Sequence, residues 1–378
     1  MNRIARRSGG IPAAERADRS SGIRDGVRLS VLSGLLLLAS ACAGGMEERV
    51  TEAPDPEATA LAQQASLLFG PLPEAAPTPD NPITKSKTDL GRMLYYDARL
   101  SRNQDISCNS CHQLDAFGVD AEATSPGHRR QRGDRNSPTV YNAALHVAQF
   151  WDGRAPDVEA QAKGPVLNPI EMASSSEEAV VAMLKSIPGY MSAFAEAFPE
   201  DEDAITYDNM AKAIGAFERK LMTPGRFDRF MAGETGALTR RERQGLETFI
   251  SVGCATCHMG PAVGGTLYRK IGFVIPYETE DPGREKVTGQ PSDRHVFKVP
   301  ALRNVAETAP YFHDGSIGSL EEAVRLMGYH QLGQELDDEQ VAGILVFLAS
   351  LTGEVDEAYV AKPVLPESGP NTPAPDPS

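Results

Sequence analysis

Two short stretches carry the residues most able to do chemistry. "DISCNSCHQL" holds Cys108, Cys111 and His112, and "GCATCHMG" holds Cys254, Cys257 and His258. On a helical turn, positions one, four and five of C-x-x-C-H share a face. Two thiols there can add to the vinyl groups of one haem while the histidine binds its iron from below. The covalent link retains a flat, apolar cofactor in a small domain. A redox dithiol and half of a zinc site are the competing readings. Zinc prefers four protein ligands at short spacing, and the two pairs stand far apart in the chain. A thioredoxin-type pair belongs among strands, and no run of alternating strand residues surrounds either motif. Apart from Cys42, the two motifs use every cysteine. The residues favour two covalently bound haems c.

Two haems raise the question of sixth iron ligands. "SPGHRRQRGDRN" offers His128, in a glycine-containing loop sixteen residues after His112. From spacing alone His128 reads equally as a ligand or as a surface residue. "EEAVRLMGYHQLG" offers Met327, with His330 one turn on. A His/Met pair raises a haem's potential, whereas His/His or an open site leaves it lower. The two motifs are therefore expected to differ, one haem high and one low, which would drive electrons one way.

The elements that must position these residues read as helices. "TDLGRMLYYD" puts Leu90, Met93 and Leu94 on one face, and "DNMAKAIGAFERKLM" repeats apolar residues at Met210, Ile214, Phe217 and Leu221. "SSSEEAVVAMLKSI" opens with serines and early glutamates, a capped start. "DDEQVAGILVFLASLTG" closes the pattern, with Gly353 as a stop. Apolar residues make up 41% of the 378, enough for cores of ordinary size in two or three domains. An internal echo supports two related domains: "FWDGRAPDVEAQA" begins at Phe150 and "FHDGSIGSLEEAV" at Phe312, each downstream of its own C-x-x-C-H.

The ends read differently. "MNRIARRSGG" and the apolar run "VLSGLLLLASA" form an export leader over residues 1–41. The run is too short to span a bilayer stably. Cys42 follows at once, as at a lipoprotein cleavage site; a plain secretory signal with an incidental cysteine is the other reading. Both export the chain, to a compartment where haem c is attached. Residues 42–82 read as a Pro/Ala-rich tether with "ALAQQASLLF" as a short helix, and residues 363–378 as a disordered tail. The formal net charge is −15, more acidic still without the arginine-bearing leader. Such a surface disfavours nucleic acid and anionic lipid and suits a basic protein partner.

Several long motifs in order resemble the bacterial di-haem cytochrome c peroxidases, relatives of the di-haem enzyme of methylamine utilisation. They are "LSRNQDISCNSCHQL", "GHRRQRGDRNSPTVYNAA", "FWDGRAPDVEAQAKGPVLNPIEM", "GCATCHMGPAVGG" and "LRNVAETAPYFHDGSIGSLEEAVRLM". The resemblance spans roughly residues 83–353. It implies an all-α fold of two cytochrome c-like domains, each with one covalent haem c. Residues 83–225 would be the N-terminal peroxidatic domain and 226–362 the C-terminal electron-transfer domain. His112 would be the proximal ligand of the peroxidatic haem and His128 its removable sixth ligand. His258 and Met327 would ligate the second haem. In the methylamine-utilisation relatives a tyrosine replaces that methionine, so Met327 favours the peroxidase branch.

The resemblance also implies Glu171, in "NPIEM", as catalytic acid–base, moving a proton from the near to the far oxygen of a peroxide. Gln161 would orient the peroxide, and Trp151, the only tryptophan, would lie between the haems. Asn136, Thr308 and Pro310 would bind calcium between the domains, the last two through main-chain carbonyls, and oxygen ligands suit that ion. His313 falls at the repeat position of Trp151 and carries no assigned role; His146, His295 and His330 read as structural or surface residues. "DGSIGSL" departs from relatives that have a tryptophan near Ile317 or Gly318, which leaves electron entry at that edge undefined. The function implied is reduction of hydrogen peroxide to water in the periplasm. Two electrons would come from cytochrome c or a cupredoxin, entering at the high-potential haem. A di-haem electron carrier, and an oxidase of a protein or organic substrate, are the alternatives. A homodimer and a lipid anchor are both left open.

Overall fold

A computed structural model describes residues 55–378. The leader, Cys42 and the first part of the tether lie outside them. In chain order the helices are α1 (Pro56–Phe69), α2 (Lys85–Tyr96), α3 (Cys108–Cys111), α4 (Val158–Leu167), α5 (Glu177–Lys185), α6 (Pro188–Ala197) and α7 (Tyr207–Glu218). There follow α8 (Arg226–Met231), α9 (Arg240–Ser251), α10 (Glu285–Thr288), α11 (Leu320–Leu332), α12 (Asp338–Ala349) and α13 (Glu357–Val360). The longer helices start on side chains that take up free N–H groups: Thr84 for α2, Thr206 for α7, Thr239 with Glu242 for α9, and Asp337 with Gln340 for α12.

Two hydrophobic cores form. In the first, Leu90, Leu94 and Tyr95 of α2 pack on Met210, Ile214 and Phe217 of α7, with Tyr190 and Phe194 of α6 closing one side. In the second, Leu246 and Phe249 of α9 pack on Ile344, Phe347 and Leu348 of α12. Each fully buried Leu or Phe contributes about 1.5–3 kcal/mol. The cores repeat one device. Gly91 of α2 presses on the Ala213 carbonyl of α7, and Gly245 of α9 presses on the Gly343 carbonyl of α12. Glycine lets the two backbones touch, and that closeness sets the depth of each helix pair.

The crossing gives a stability prediction. A Cβ at Gly245 would fall inside the Gly343 carbonyl and 3.0 Å from Phe347 Cβ. Gly245→Ala should cost about 1–3 kcal/mol and lower the melting temperature of the holoprotein by several degrees. Gly343→Ala is the control. Its Cβ would meet nothing nearer than Gly245 Cα at 3.6 Å, so it should be neutral or stabilising by up to about 1 kcal/mol. Equal melting temperatures for the two variants would contradict this packing.

Three segments differ from what the sequence suggests. Within the proline-bounded tether, α1 runs from its Asp55 cap over Pro56–Phe69 and buries Leu61, Ala62, Ala65 and Phe69 in the second core. That apolar stripe is interrupted by no proline. The tail is held against the first domain by polar contacts to its main chain and side chains: Gln104 donates to the Pro373 carbonyl at 2.8 Å, and Ser186 Oγ meets Thr372 Oγ1 at 3.1 Å. Arg102 pairs with Asp376 at 2.8 Å. Finally, β1 (Tyr268–Lys270) and β2 (Val296–Lys298) form an antiparallel ribbon, with Arg269 opposite Phe297 and Tyr268 opposite Lys298. Three residues per strand are too few to show alternation.

Candidate functional site

The two C-x-x-C-H stretches fold alike. Ser107 and Ser110 cap each other around α3, and the His112 N–H closes the turn on the Cys108 carbonyl at 3.0 Å. The second stretch begins after Gly253, whose φ of 104° favours glycine. There the His258 N–H closes on the Cys254 carbonyl, also at 3.0 Å. Both turns put two thiols and an imidazole on one face. Buried tyrosines hold the first in place: Tyr95 Oη donates to the His112 carbonyl at 2.7 Å and Tyr141 Oη to the Leu114 carbonyl at 2.6 Å. Arg303 does comparable work beyond the second, binding the Pro261 carbonyl and Asp228.

Electrostatics separate the readings of these cysteines. Burial pushes the Cys111 thiol up to about 11 and the Cys254 thiol up to about 12, and Cys108 higher still. A redox dithiol needs a depressed thiol instead. Among the described residues no group of three or more His, Cys, Asp or Glu is placed to hold a metal ion by itself, so neither pair completes a zinc site. Burial also lowers both histidines, His258 to about 4, with the Pro138 and Pro300 carbonyls pulling the other way. Neutral imidazole is the form that ligates iron. At each turn two thiols and a neutral imidazole fit a covalently attached haem.

Beside the second turn lies an apolar cavity of about 240 Å³. Cys254, Cys257 and His258 line it from one side, and Met327 of α11 lines it too. His330, one turn on, is turned away and bonds the Ile275 carbonyl through Nδ1 at 3.0 Å. The cavity therefore separates Met327 from His330, which sequence spacing does not. Asn136, Thr308, Pro310 and Trp151 also border it. Trp151 is fixed by its indole N–H, which donates to the Asn136 carbonyl at 2.9 Å.

The first turn has a different neighbourhood. Glu171 sits in the turn after α4, where Asn168 Nδ2 donates to its Oε1 at 3.0 Å. Burial raises its pKa above the usual carboxylate range, with Arg154 and Asn168 pulling it back down. Its charge in turn helps raise the Cys111 thiol, so the carboxylate lies within electrostatic reach of the first motif. His128 is 4% exposed. Its N–H donates to the Glu171 carbonyl at 2.7 Å, and its Nε2 lies 3.2 Å from the Ser378 carbonyl. The loop carrying it is strained: Arg129 and Arg130 have φ of 57° and 59°. Gln161 is half-buried on α4.

The internal echo is visible in the backbone. Phe150 and Phe312 have φ of 65° and 70°, and Asn142 and Asn304 have 60° and 61°. Both asparagines donate to one buried hydroxyl, Thr223 Oγ1, at 2.8 and 3.0 Å. Three residues that the sequence leaves without a role also reach the cavity. His313 stacks on Phe297 with ring centroids 4.4 Å apart, and His146 bonds Lys298, whose Nζ lies 2.9 Å from its Nδ1. His146 is therefore not a surface residue but part of the cavity wall. No motif marks Lys298, and only its place in β2 brings it here.

Comparison with known proteins gives a consistent set of relatives. A profile of the family described as "Di-haem cytochrome c peroxidase" matches residues 85–236. The chain is 48% identical over 306 residues to the cytochrome c551 peroxidase of Nitrosomonas europaea, covering 80% of this chain and 89% of that one. It is 44% identical over 326 residues to the cytochrome c551 peroxidase of Pseudomonas aeruginosa, covering 84% and 93%. Among solved structures, a MauG-like protein associated with microbial copper homeostasis superposes with a TM-score of 0.69 at 28% identity, covering 77% of this chain and 97% of that one.

Proposed function

The chain belongs to the di-haem cytochrome c peroxidase family, and from that premise we propose how its own residues divide the reduction of hydrogen peroxide to water. It is a peroxidase of the di-haem type. Bound haem supplies the redox-active iron and stores one electron per site. Cys108, Cys111 and His112 would hold the peroxidatic haem, within residues 83–225. Cys254, Cys257, His258 and Met327 would hold the electron-transfer haem, within residues 226–362. Glu171 takes a proton from one oxygen of hydrogen peroxide and returns it to the departing oxygen, while Gln161 orients the molecule. Electrons enter on the Met327 side from cytochrome c or a cupredoxin and are used on the Glu171 side, with Trp151 between. Asn136, Thr308 and Pro310 would bind calcium at the same cavity. The acidic protein is exported to the periplasm, and Cys42 is where a lipid anchor would attach.

The supporting observation is the asymmetry of the two turns. One has a half-buried carboxylate and a strained histidine loop beside it; the other has a methionine lining its cavity. An electron carrier has no use for Glu171, and Met327 counts against the protein-oxidising branch. The test is the gate. If His128 caps the first iron until the second is reduced, His128→Gly should turn over peroxide at once, without the lag of the oxidised wild type. A variant that still needs prior reduction would move the gate elsewhere.

A further inference from the structure

We propose that Lys298, braced by His146, holds a carboxylate of the haem attached at Cys254 and Cys257, and so sets both the seat and the potential of that cofactor. The inference rests on the di-haem reading above. Three Lys or Arg side chains are buried among the described residues: Arg219, Lys298 and Arg303. Arg219 binds Glu159 at 2.7 Å and Arg303 binds Asp228 at 2.6 Å. Lys298 has no carboxylate partner. Its ammonium donates to His146 Nδ1, which leaves the other two N–H groups without an anion.

A buried cation of this kind is strongly disfavoured unless a charge of opposite sign joins it. Burial alone pushes Lys298 down to about 8, with no acid opposing the shift. The lysine is nonetheless held firmly. Its N–H donates to the Trp151 carbonyl at 2.8 Å, and its strand pairs with β1. Lys298 and His146 both face the cavity that Met327 and His258 line. Arg269 borders the cavity too, but Tyr268, not Arg269, stands opposite Lys298, so the two cations leave the ribbon on opposite faces. A haem carboxylate would supply the anion that Lys298 lacks. The lysine's positive charge favours the electron-rich, reduced cofactor, so Lys298 acts with Met327 to raise the potential of this haem. It is a positioning residue, remote from the peroxide.

The experiment is a spectroelectrochemical titration of the holoprotein, with haems counted by mass, for wild type, Lys298→Met and Lys298→Arg. Lys298→Met should keep two haems, move the high-potential step downward and leave the low-potential step in place. Lys298→Arg should restore most of the shift. Two unmoved steps in Lys298→Met with both haems present overturn the proposal. A shift of the low-potential step overturns it too, because the carboxylate would then belong to the other haem. If Lys298→Met yields no holoprotein, resonance Raman of Lys298→Arg decides: a displaced propionate-bending band of the high-potential haem supports the contact, and an unchanged band overturns it. A wild type carrying fewer than two haems contradicts the di-haem reading itself.

Discussion

Glu171→Gln should lower peroxide turnover by about 10²–10⁴-fold, the usual worth of a positioned proton carrier. Glutamine keeps the shape and can still accept from Asn168 Nδ2, which reaches Glu171 Oε1 at 3.0 Å. It cannot take a proton from one peroxide oxygen and return it to the other. The surroundings leave no obvious substitute: Arg154 is a fixed cation, and the His128 imidazole is directed at the Ser378 carbonyl, with Nε2 3.2 Å from it. Reduction of both haems by an electron donor should proceed as in wild type. Stopped-flow mixing of reduced variant with peroxide separates the steps. Turnover within threefold of wild type would remove Glu171 from the chemistry.

Met327→His should cut turnover with a cytochrome c donor by more than about 100-fold while leaving the reaction of chemically reduced protein with peroxide intact. Replacing sulfur by nitrogen lowers the potential of the haem it caps. Each ~59 mV lost moves a one-electron equilibrium tenfold back toward the donor. The site accepts the exchange, because α11 already places Met327 at the cavity opposite the second turn. Full activity with the cytochrome donor would mean that electrons enter elsewhere.

How much of this is legible in the sequence depends on the range of each signal. The two C-x-x-C-H turns are local, closing on their own carbonyls within five residues, so a short motif suffices. The helix pairs around each core follow from apolar spacing, and the echo of Phe150 and Phe312 survives as paired left-handed backbone positions. Long-range placement is not legible. Met327 and His330 stand three residues apart and are equal candidates until the helix packs; then one faces the cavity and the other bonds Ile275. Lys298 belongs to a three-residue strand with no motif, and its partner His146 lies more than a hundred residues away. The tail contains prolines and no periodicity, yet its carbonyls and hydroxyls find Gln104 and Ser186. The leader and Cys42 stay expectations of the sequence alone.

Cyanide binding, followed at each stage of a reductive titration of the holoprotein, decides whether the two irons differ. Two unlike sites predict two separate one-electron steps, no binding by the fully oxidised protein, and one cyanide per chain once the first electron has been taken up. Reduction in a single step, or a protein closed to cyanide at every stage, would contradict that difference.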